Sequence, residues 1–580
     1  MAEDALPPGG VATLPQWWRQ RCTQWAAQPA LRHKRLGIWT TMDWGRYFDE
    51  ARALGLALDA AGLQPGEVVS ILSHNRPEWL CMDLAAQAMG FVSHGLYPSS
   101  SDEEVAHALH EAGTRVLLVE NAEQLMKALQ ARERCPALRR ICVIDDRGLR
   151  GLADPAVGTY AALVQQGRQH PDTALFEARI AAGTGAQVAA LIGTAGTSAP
   201  ARLAAVTQQA LLHQVQALQA GLGAQAGDHS LSFAPLAQAD ERLLATGIPL
   251  VAGGLVHFAE SPGTVFNDLR EAAPHWVSGP PRFWERLHAR TDILAGDTRP
   301  AFQRLYRRSV AARRPGWIGR TALRRVRASL GLARARLALV SAASLSEPLL
   351  QWYTALGLPL AEVYGLAEAC GMVWLQAEGV PPAPRTEVRL AADGEILLRG
   401  PAVLAGYWSA GALQAGTAPA DGWLATGDLG AMHGGGSLRI VGRRSERIEA
   451  APGDTLVADE LERLLRANAY VSDAMLVRAR RAHCTCVLAL EPERVFKYAQ
   501  DHHVPYTDYA QLVAQPEIQQ LIAQQLEALN AGLPAGRRIH RFAILPRLLG
   551  GHDEELTPQL RLRRRVIESK YAGMIDGLYA

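Results

Sequence analysis

Between residues 44 and 120 the chain alternates between two hydrophobic periods. Residues 44–63, 80–90 and 103–113 place apolar side chains at helical spacing, whereas 67–74, 91–98 and 115–120 are short apolar runs. Near-continuous apolar strands set between amphipathic helices predict parallel sheets covered by helices, since a strand buried on both faces shows no polar alternation. The texture changes towards the C-terminus. Residues 394–408 and 437–448 read as strands, with turn formers at Asp421-Gly422-Trp423 and across 433–437. After Glu446 a shorter α+β pattern follows: a helix over 459–468, strands over 471–491, and a long helical segment up to Leu533. The pattern predicts an α/β protein. A large N-terminal domain of helix-covered, mostly parallel sheets with a β-rich subdomain spans 1–442, and a small α+β C-terminal domain spans 443–580.

Composition narrows the class. A chain of 580 residues, 48% of them hydrophobic, can bury a large core and is long enough for more than one domain. Lys+Arg (59) and Asp+Glu (57) nearly cancel, so no nucleic-acid partner is expected. The first fifteen residues carry acidic side chains and prolines where an export signal needs a basic start and an apolar run. No uninterrupted apolar stretch reaches the roughly 18 residues that span a bilayer. Seven scattered cysteines do not form a disulfide framework, and a cytoplasmic protein is expected.

Two local features have both a plain and a chemical reading. His483, Cys484 and Cys486 lie close together, but 482–491 reads as a strand with both thiols on one face. No second Cys/His pair completes a tetrahedral set, so packing is expected rather than metal binding. Residues 307–336 are strongly basic, with apolar residues at helical spacing. A solvated helix face is the plain reading. Peripheral contact with an anionic membrane, or attraction to the phosphates of a ligand, is the functional one.

The chemistry is carried by strings spread over the whole chain. They are Asn75-Arg76-Pro77-Glu78-Trp79, then Phe258-Ala259-Glu260-Ser261-Pro262, then Gly279-Pro280-Pro281-Arg282-Phe283-Trp284-Glu285. Further on come Glu362-Val363-Tyr364-Gly365-Leu366-Ala367-Glu368, the tract 394–408, Thr426-Gly427-Asp428, Gly442-Arg443-Arg444 and Glu555-Leu556-Thr557-Pro558. In this order and spacing, from about Thr13 to Tyr579, the chain resembles the AMP-forming long-chain acyl-CoA synthetases. That resemblance implies the adenylate-forming fold, with a small C-terminal domain that moves, and a fatty acid, ATP (leaving as AMP), Mg2+ and CoA as ligands. It carries adenine stacking onto Tyr364 beside Gly365, Mg2+ binding onto Glu368, ribose contacts onto Asp428 and Arg443, and the hinge onto Glu446. Activating a carboxylate with ATP brings two anions together, so such a site must neutralise charge and fix geometry. Mg2+ suits one or two carboxylates plus phosphate oxygens, which a single positioned glutamate satisfies.

Several phosphate-handling positions depart from the family pattern. The phosphate loop falls on 193–202, where Thr194, Thr197 and Ser198 suit phosphate contacts. Ala201, however, stands where a lysine belongs, and Arg202 where a glycine belongs. Gln238 replaces a histidine in the Pro235-Leu236-Ala237-Gln238 segment, and Ala367 replaces a threonine that would touch phosphate. Ala342 and Ala343 lie in an altered turn beside the acyl pocket, and Pro452-Gly453 stands where two glycines follow the hinge. In the tail, Arg561 occupies the place of the lysine that reaches the reacting carboxylate and α-phosphate, and a guanidinium fork is not a point donor. The leading expectation is an enzyme that forms an acyl-adenylate from a long-chain fatty acid and passes the acyl group to CoA. The alternatives are a catalytically impaired member, a pseudoenzyme that binds nucleotide or acyl-CoA in a regulatory role, and an enzyme keeping only the thioester half-reaction.

Overall fold

The computed structural model describes residues 10–149, 151, 153–194, 201–312, 315–341, 345–358, 360–376, 386–417, 419, 421–432, 438–451, 454–477, 483–549, 555–559 and 561–580. Two large sheets dominate it. The nine-stranded sheet has a parallel centre running Val188–Gly193, Val92–Leu96, Val68–Leu72, Thr114–Val119, Arg140–Val143 and Val157–Thr159. In the eight-stranded sheet, strands Leu360–Leu366, Leu337–Val340, Trp276–Gly279, His229–Ser232, Leu255–Phe258 and Pro29–Arg35 are parallel in that order. Every residue of Val68–Leu72 and of Val92–Leu96 is buried, Ser70, Ser93 and His94 included, which is why these strands show no alternation of core-facing and solvent-facing positions. Helices Trp44–Ala60, Pro77–Ala88 and Asp102–Ala112 appear where the helical period placed them. The main core contains the fully buried Trp17, Trp18, Trp44 and Trp79.

The β-rich part is a four-stranded antiparallel sheet built from Glu387–Leu390, Glu395–Arg399, Leu424–Met432 and Leu438–Arg443. The tract 394–408 divides between two sheets. Its second strand, Gly406–Ser409, leaves the antiparallel sheet and pairs with Leu203–Thr207 at the edge of the nine-stranded one. Past a hairpin of Arg447–Ala451 and Asp454–Val457, a helix Ala458–Arg466 and a three-stranded sheet follow, with cores built from residues 458–579. The long helical segment is three helices, Pro492–Asp501, Tyr509–Ala514 and Pro516–Ala531. Pro516 lacks the N–H that an uninterrupted helix needs, and so opens a new one. Cys484 and Cys486 are buried in the core of this part, on the strand that the sequence predicts.

Packing in the large part leaves no slack at helix crossings. In helix Tyr160–Arg168, a Cβ added at Gly167 would fall 1.6 Å from the carbonyl oxygen of Ala53 on helix Trp44–Ala60. Gly167→Ala must push the two helices apart, and overpacking of this kind costs about 1–3 kcal/mol or more. A urea midpoint within error of wild type would refute this close approach.

Candidate active site

A cavity of about 1030 Å3 lies between the large part and the C-terminal part, with walls from both. Its floor comes from segments leaving the carboxyl ends of parallel strands: Phe233 after His229–Ser232, Glu260 after Leu255–Phe258, and Arg282 and Phe283 in the first turn of helix Pro281–Gly296 after Trp276–Gly279. In parallel sheets this end is the open one, because the crossover helices return to the other. The sequence motifs hold these loops. Asn75 donates to Ser232 Oγ (2.9 Å) and to the carbonyl of Ala234 (2.6 Å), and accepts from the N–H of Leu236 (3.0 Å). Those contacts fix the segment that presents Gln238, which lines the cavity ahead of helix Ala239–Ala252. Trp284 is buried and donates its indole N–H to the carbonyls of Gly279 (3.2 Å) and Leu339 (3.1 Å).

The cavity has an apolar and a polar region. Phe233, Phe283 and Phe266 form a continuous aromatic wall with centroid separations of 4.6 and 5.5 Å, and Val310, Ala311, Leu349 and Trp352 extend it. In the polar region the hydroxyl of Tyr364 donates to Asp428 Oδ2 (2.9 Å), and Arg443 Nε approaches Asp428 Oδ1 at 2.7 Å. Asp428 and Arg443 are register partners on adjacent antiparallel strands, so their pairing is set by the sheet. Burial, and next the carboxylate of Asp428, hold the Tyr364 phenol well above its ordinary range, so it remains a donor. Gly365 is required beside it: a Cβ there would sit 2.3 Å from the carbonyl oxygen of Gly371.

The tail enters the same cavity. Arg561 lines it together with Gln559 and Arg564, and its backbone N–H donates to Thr557 Oγ1 (3.1 Å). Burial and the nearby Arg443 lower the pKa of the Arg561 guanidinium, while Asp428, Glu446 and Asp459 act in the opposite direction. Arg564 grips Glu462 with two bonds of 2.7 and 2.6 Å. Across the gap, Gln559 donates to the hydroxyl of Tyr97 (3.0 Å), Ser99 donates to the carbonyl of Pro558 (3.4 Å), and Arg563 pairs with Glu104. Arg282 pairs with Asp473, Arg494 with Asp292 (3.2 Å) and Lys497 with Asp297 (3.3 Å). Lys570 is engaged elsewhere, 3.1 Å from the buried Glu555. Glu446 lines the cavity, and burial raises its carboxyl pKa against the pull of Arg564.

The remaining sequence candidates are placed as follows. Thr194 and Arg202 face each other across the loop stem: the N–H of Thr194 donates to the carbonyl of Arg202 (2.8 Å), and that of Arg202 to Thr194 Oγ1 (3.0 Å). Glu368 sits on a short turn after the strand of Tyr364, and its Oε1 accepts from the hydroxyl of Tyr407 (3.2 Å). Glu368, Thr194 and Arg202 are not among the walls of the cavity. Thr197, Ser198, Ala342, Ala343, Pro452 and Gly453 lie outside the described residues. Among the described residues no group of three His, Cys, Asp or Glu side chains could hold a metal ion alone. Glu368 still fits Mg2+, which takes most of its ligands from phosphate and water. Sequence reasoning missed the contacts of Tyr407, Tyr97 and the Arg282–Asp473 pair: Tyr407 and Arg282 lie inside motif strings, but their partners are remote in the chain.

One buried acid next to Gln238 gives a pH test. Burial pushes Glu241 up to about 8, a hydrogen bond from Ser232 opposing, so its carboxyl is mostly protonated in the folded protein at neutral pH. Because this value lies above the unfolded one, its stabilising contribution is complete below about pH 4.5 and lost as pH rises through about 8. Glu241→Gln mimics the neutral form. Its stability relative to wild type should rise by about 1 kcal/mol per pH unit across that window. Parallel stability curves from urea titrations would contradict this.

Two face-forming sheets, an antiparallel subdomain and a small α+β part closing over the strand ends define the fold class of the adenylate-forming enzymes. The chain belongs to the AMP-binding enzyme family, whose model matches residues 18–408. It is similar to the long-chain-fatty-acid–CoA ligase FadD15 of Mycobacterium bovis, at 30% identity over 94% of this chain and 93% of that protein. It is also similar to the long-chain-fatty-acid–CoA ligase heimdall of Drosophila melanogaster, at 26% identity over 99% of this chain and 95% of that protein. Among solved structures, the adenylation domain of a carboxylate reductase from Mycobacterium chelonae superimposes with a TM-score of 0.81. It shares 19% identity and covers 100% of this chain and 94% of its own.

Proposed function

We propose that this protein is an AMP-forming acyl-CoA synthetase acting on a long-chain fatty acid. The observation that carries the reading is the meeting of Tyr364, Asp428, Arg443 and Arg561 on one cavity that also has an aromatic and aliphatic wall. The tyrosine ring and the Asp428–Arg443 pair suit a base and a ribose, and the apolar wall suits an acyl chain. A carboxylate oxygen of the fatty acid attacks the α-phosphorus of ATP and pyrophosphate leaves. The CoA sulfur then attacks the acyl carbonyl and AMP leaves. Arg561 offsets the charge of the two anions in the first step. Mg2+ held at Glu368 would neutralise part of the triphosphate charge when bound. The two bodies are residues 1–442 and 443–580, with Glu446 at the hinge about which the small one turns between the half-reactions.

Pyrophosphate exchange with a panel of fatty acids, run beside calorimetry with AMP, tests this. Exchange dependent on a long-chain acid supports the synthetase. AMP binding without exchange instead supports an impaired member that retains the nucleotide grip.

The same reading includes peripheral work at an anionic membrane. No described helix is long and apolar enough to cross a bilayer. From Thr298 to Ser346 the chain has 12 arginines and no carboxylate side chain. Helices Pro300–Ala311 and Trp317–Ser329 expose Arg304, Arg307, Arg308, Arg320, Arg324 and Arg325, with Trp317 73% and Ile318 52% exposed. Val310 and Ala311, at the end of the first helix, line the apolar region of the cavity. Co-sedimentation should rise when phosphatidylglycerol is added to phosphatidylcholine vesicles, and Arg320→Glu with Arg324→Glu should reverse that rise. Equal binding by the doubly substituted protein would remove this part of the reading.

A further inference from the structure

The geometry points to Tyr407 as a positioning residue that lets Arg202 do the phosphate-neutralising work of the lysine absent at position 201, an inference that rests on the ATP-dependent reading above. The guanidinium of Arg202 lies over the ring of Tyr407, 3.3 Å from its centroid. The hydroxyl of the same ring donates to Glu368 Oε1 at 3.2 Å. One aromatic side chain thus touches both the cation at the end of the phosphate loop and the carboxylate that fits Mg2+.

The arrangement is built into the sheet. Strand Gly406–Ser409 pairs antiparallel with Leu203–Thr207, with Tyr407 opposite Ala204. Arg202 lies two residues before Ala204, which makes it the diagonal neighbour of Tyr407 on one face, within reach of a long side chain. The backbone of Tyr407 is held by its N–H donating to Thr417 Oγ1 (2.8 Å), and that of Arg202 by both bonds to Thr194. Stacking uses only the face of the guanidinium. A guanidinium resting on a ring can still bind phosphate oxygens two at a time through its in-plane N–H edges. An arginine reaching from one residue along therefore places charge near phosphate without the close backbone wrap a glycine would allow.

Calorimetry with AMP and with MgATP, on the full chain, tests the inference. Arg202→Ala and Tyr407→Leu should each weaken MgATP binding by about tenfold or more while leaving AMP affinity within about twofold. Tyr407→Phe, which keeps the ring, should bind MgATP nearly as wild type does. Thermal melts confirm that each variant is folded. Wild-type MgATP affinity in a folded Tyr407→Leu protein overturns the inference. So does equal weakening of AMP and MgATP, a Phe variant as damaged as the Leu one, or a wild type that binds AMP but not MgATP. Absence of pyrophosphate exchange in a wild type that shows the expected binding pattern sinks the synthetase reading alone and leaves this assignment standing.

Discussion

Asp428→Ala should abolish most nucleotide affinity, lowering AMP binding by about 100-fold or more. The residue is only 6% exposed, and both carboxylate oxygens are engaged, one by the hydroxyl of Tyr364 and one by Arg443. Truncation removes an acceptor suited to ribose hydroxyls and also orphans the two groups that shape the pocket. Leaving a largely buried phenol without its acceptor costs about 1–3 kcal/mol, so the melting temperature should fall as well. Asp428→Asn keeps the shape and should lose less stability than alanine. The comparison separates the two effects: a stable Asn variant that still binds AMP poorly identifies the charge as what matters. Unchanged AMP affinity in Asp428→Ala would show that the nucleotide sits elsewhere.

Arg561→Ala should leave AMP affinity nearly intact and slow acyl-adenylate formation by about 10²–10³-fold, the effect of deleting one preorganised transition-state donor. The contrast follows from position. Arg561 reaches the cavity from the tail, whereas Tyr364, Asp428 and Arg443 are held together on the strands of the large part and pair with one another. Arg561→Lys restores the compact ammonium of the family pattern and should match or exceed wild-type turnover. Single-turnover pyrophosphate release is the measurement. Equal rates for Arg561, Lys and Ala proteins would take the tail out of the chemistry. The ion pair that ties the tail to the large part, Arg563 with Glu104, predicts that the rate also falls with rising salt.

Much of the scaffold was legible without coordinates, because helix and strand periods are local signals. The buried strand over 67–74, the helix over 44–63 and the strand carrying Cys484 and Cys486 all form where their patterns place them. The tract 394–408 reads as one β-rich unit along the chain, yet its halves join different sheets. Alternation along a strand says that it pairs and nothing about which neighbour it takes. Apolar spacing in the C-terminal helical segment carries across Pro516, whose missing N–H starts a new helix. Within the site, the strings around Tyr364, Asp428, Arg443 and Arg561 lead to one cavity. Glu368 and Arg202 stand outside its walls and meet instead at Tyr407.

Residue types and their order along the chain determined the family and the layered α/β scaffold, since each is a property of short windows or of their succession. Tertiary structure alone decided what Arg202 packs against, the ring of Tyr407. Arg202 and Tyr407 are some two hundred positions apart and become neighbours only through the register of one antiparallel pair. The tail likewise meets Tyr97 and Glu104 across more than four hundred and fifty residues. Such contacts depend on how sheets stack and how one body seats on another, and no local pattern encodes either.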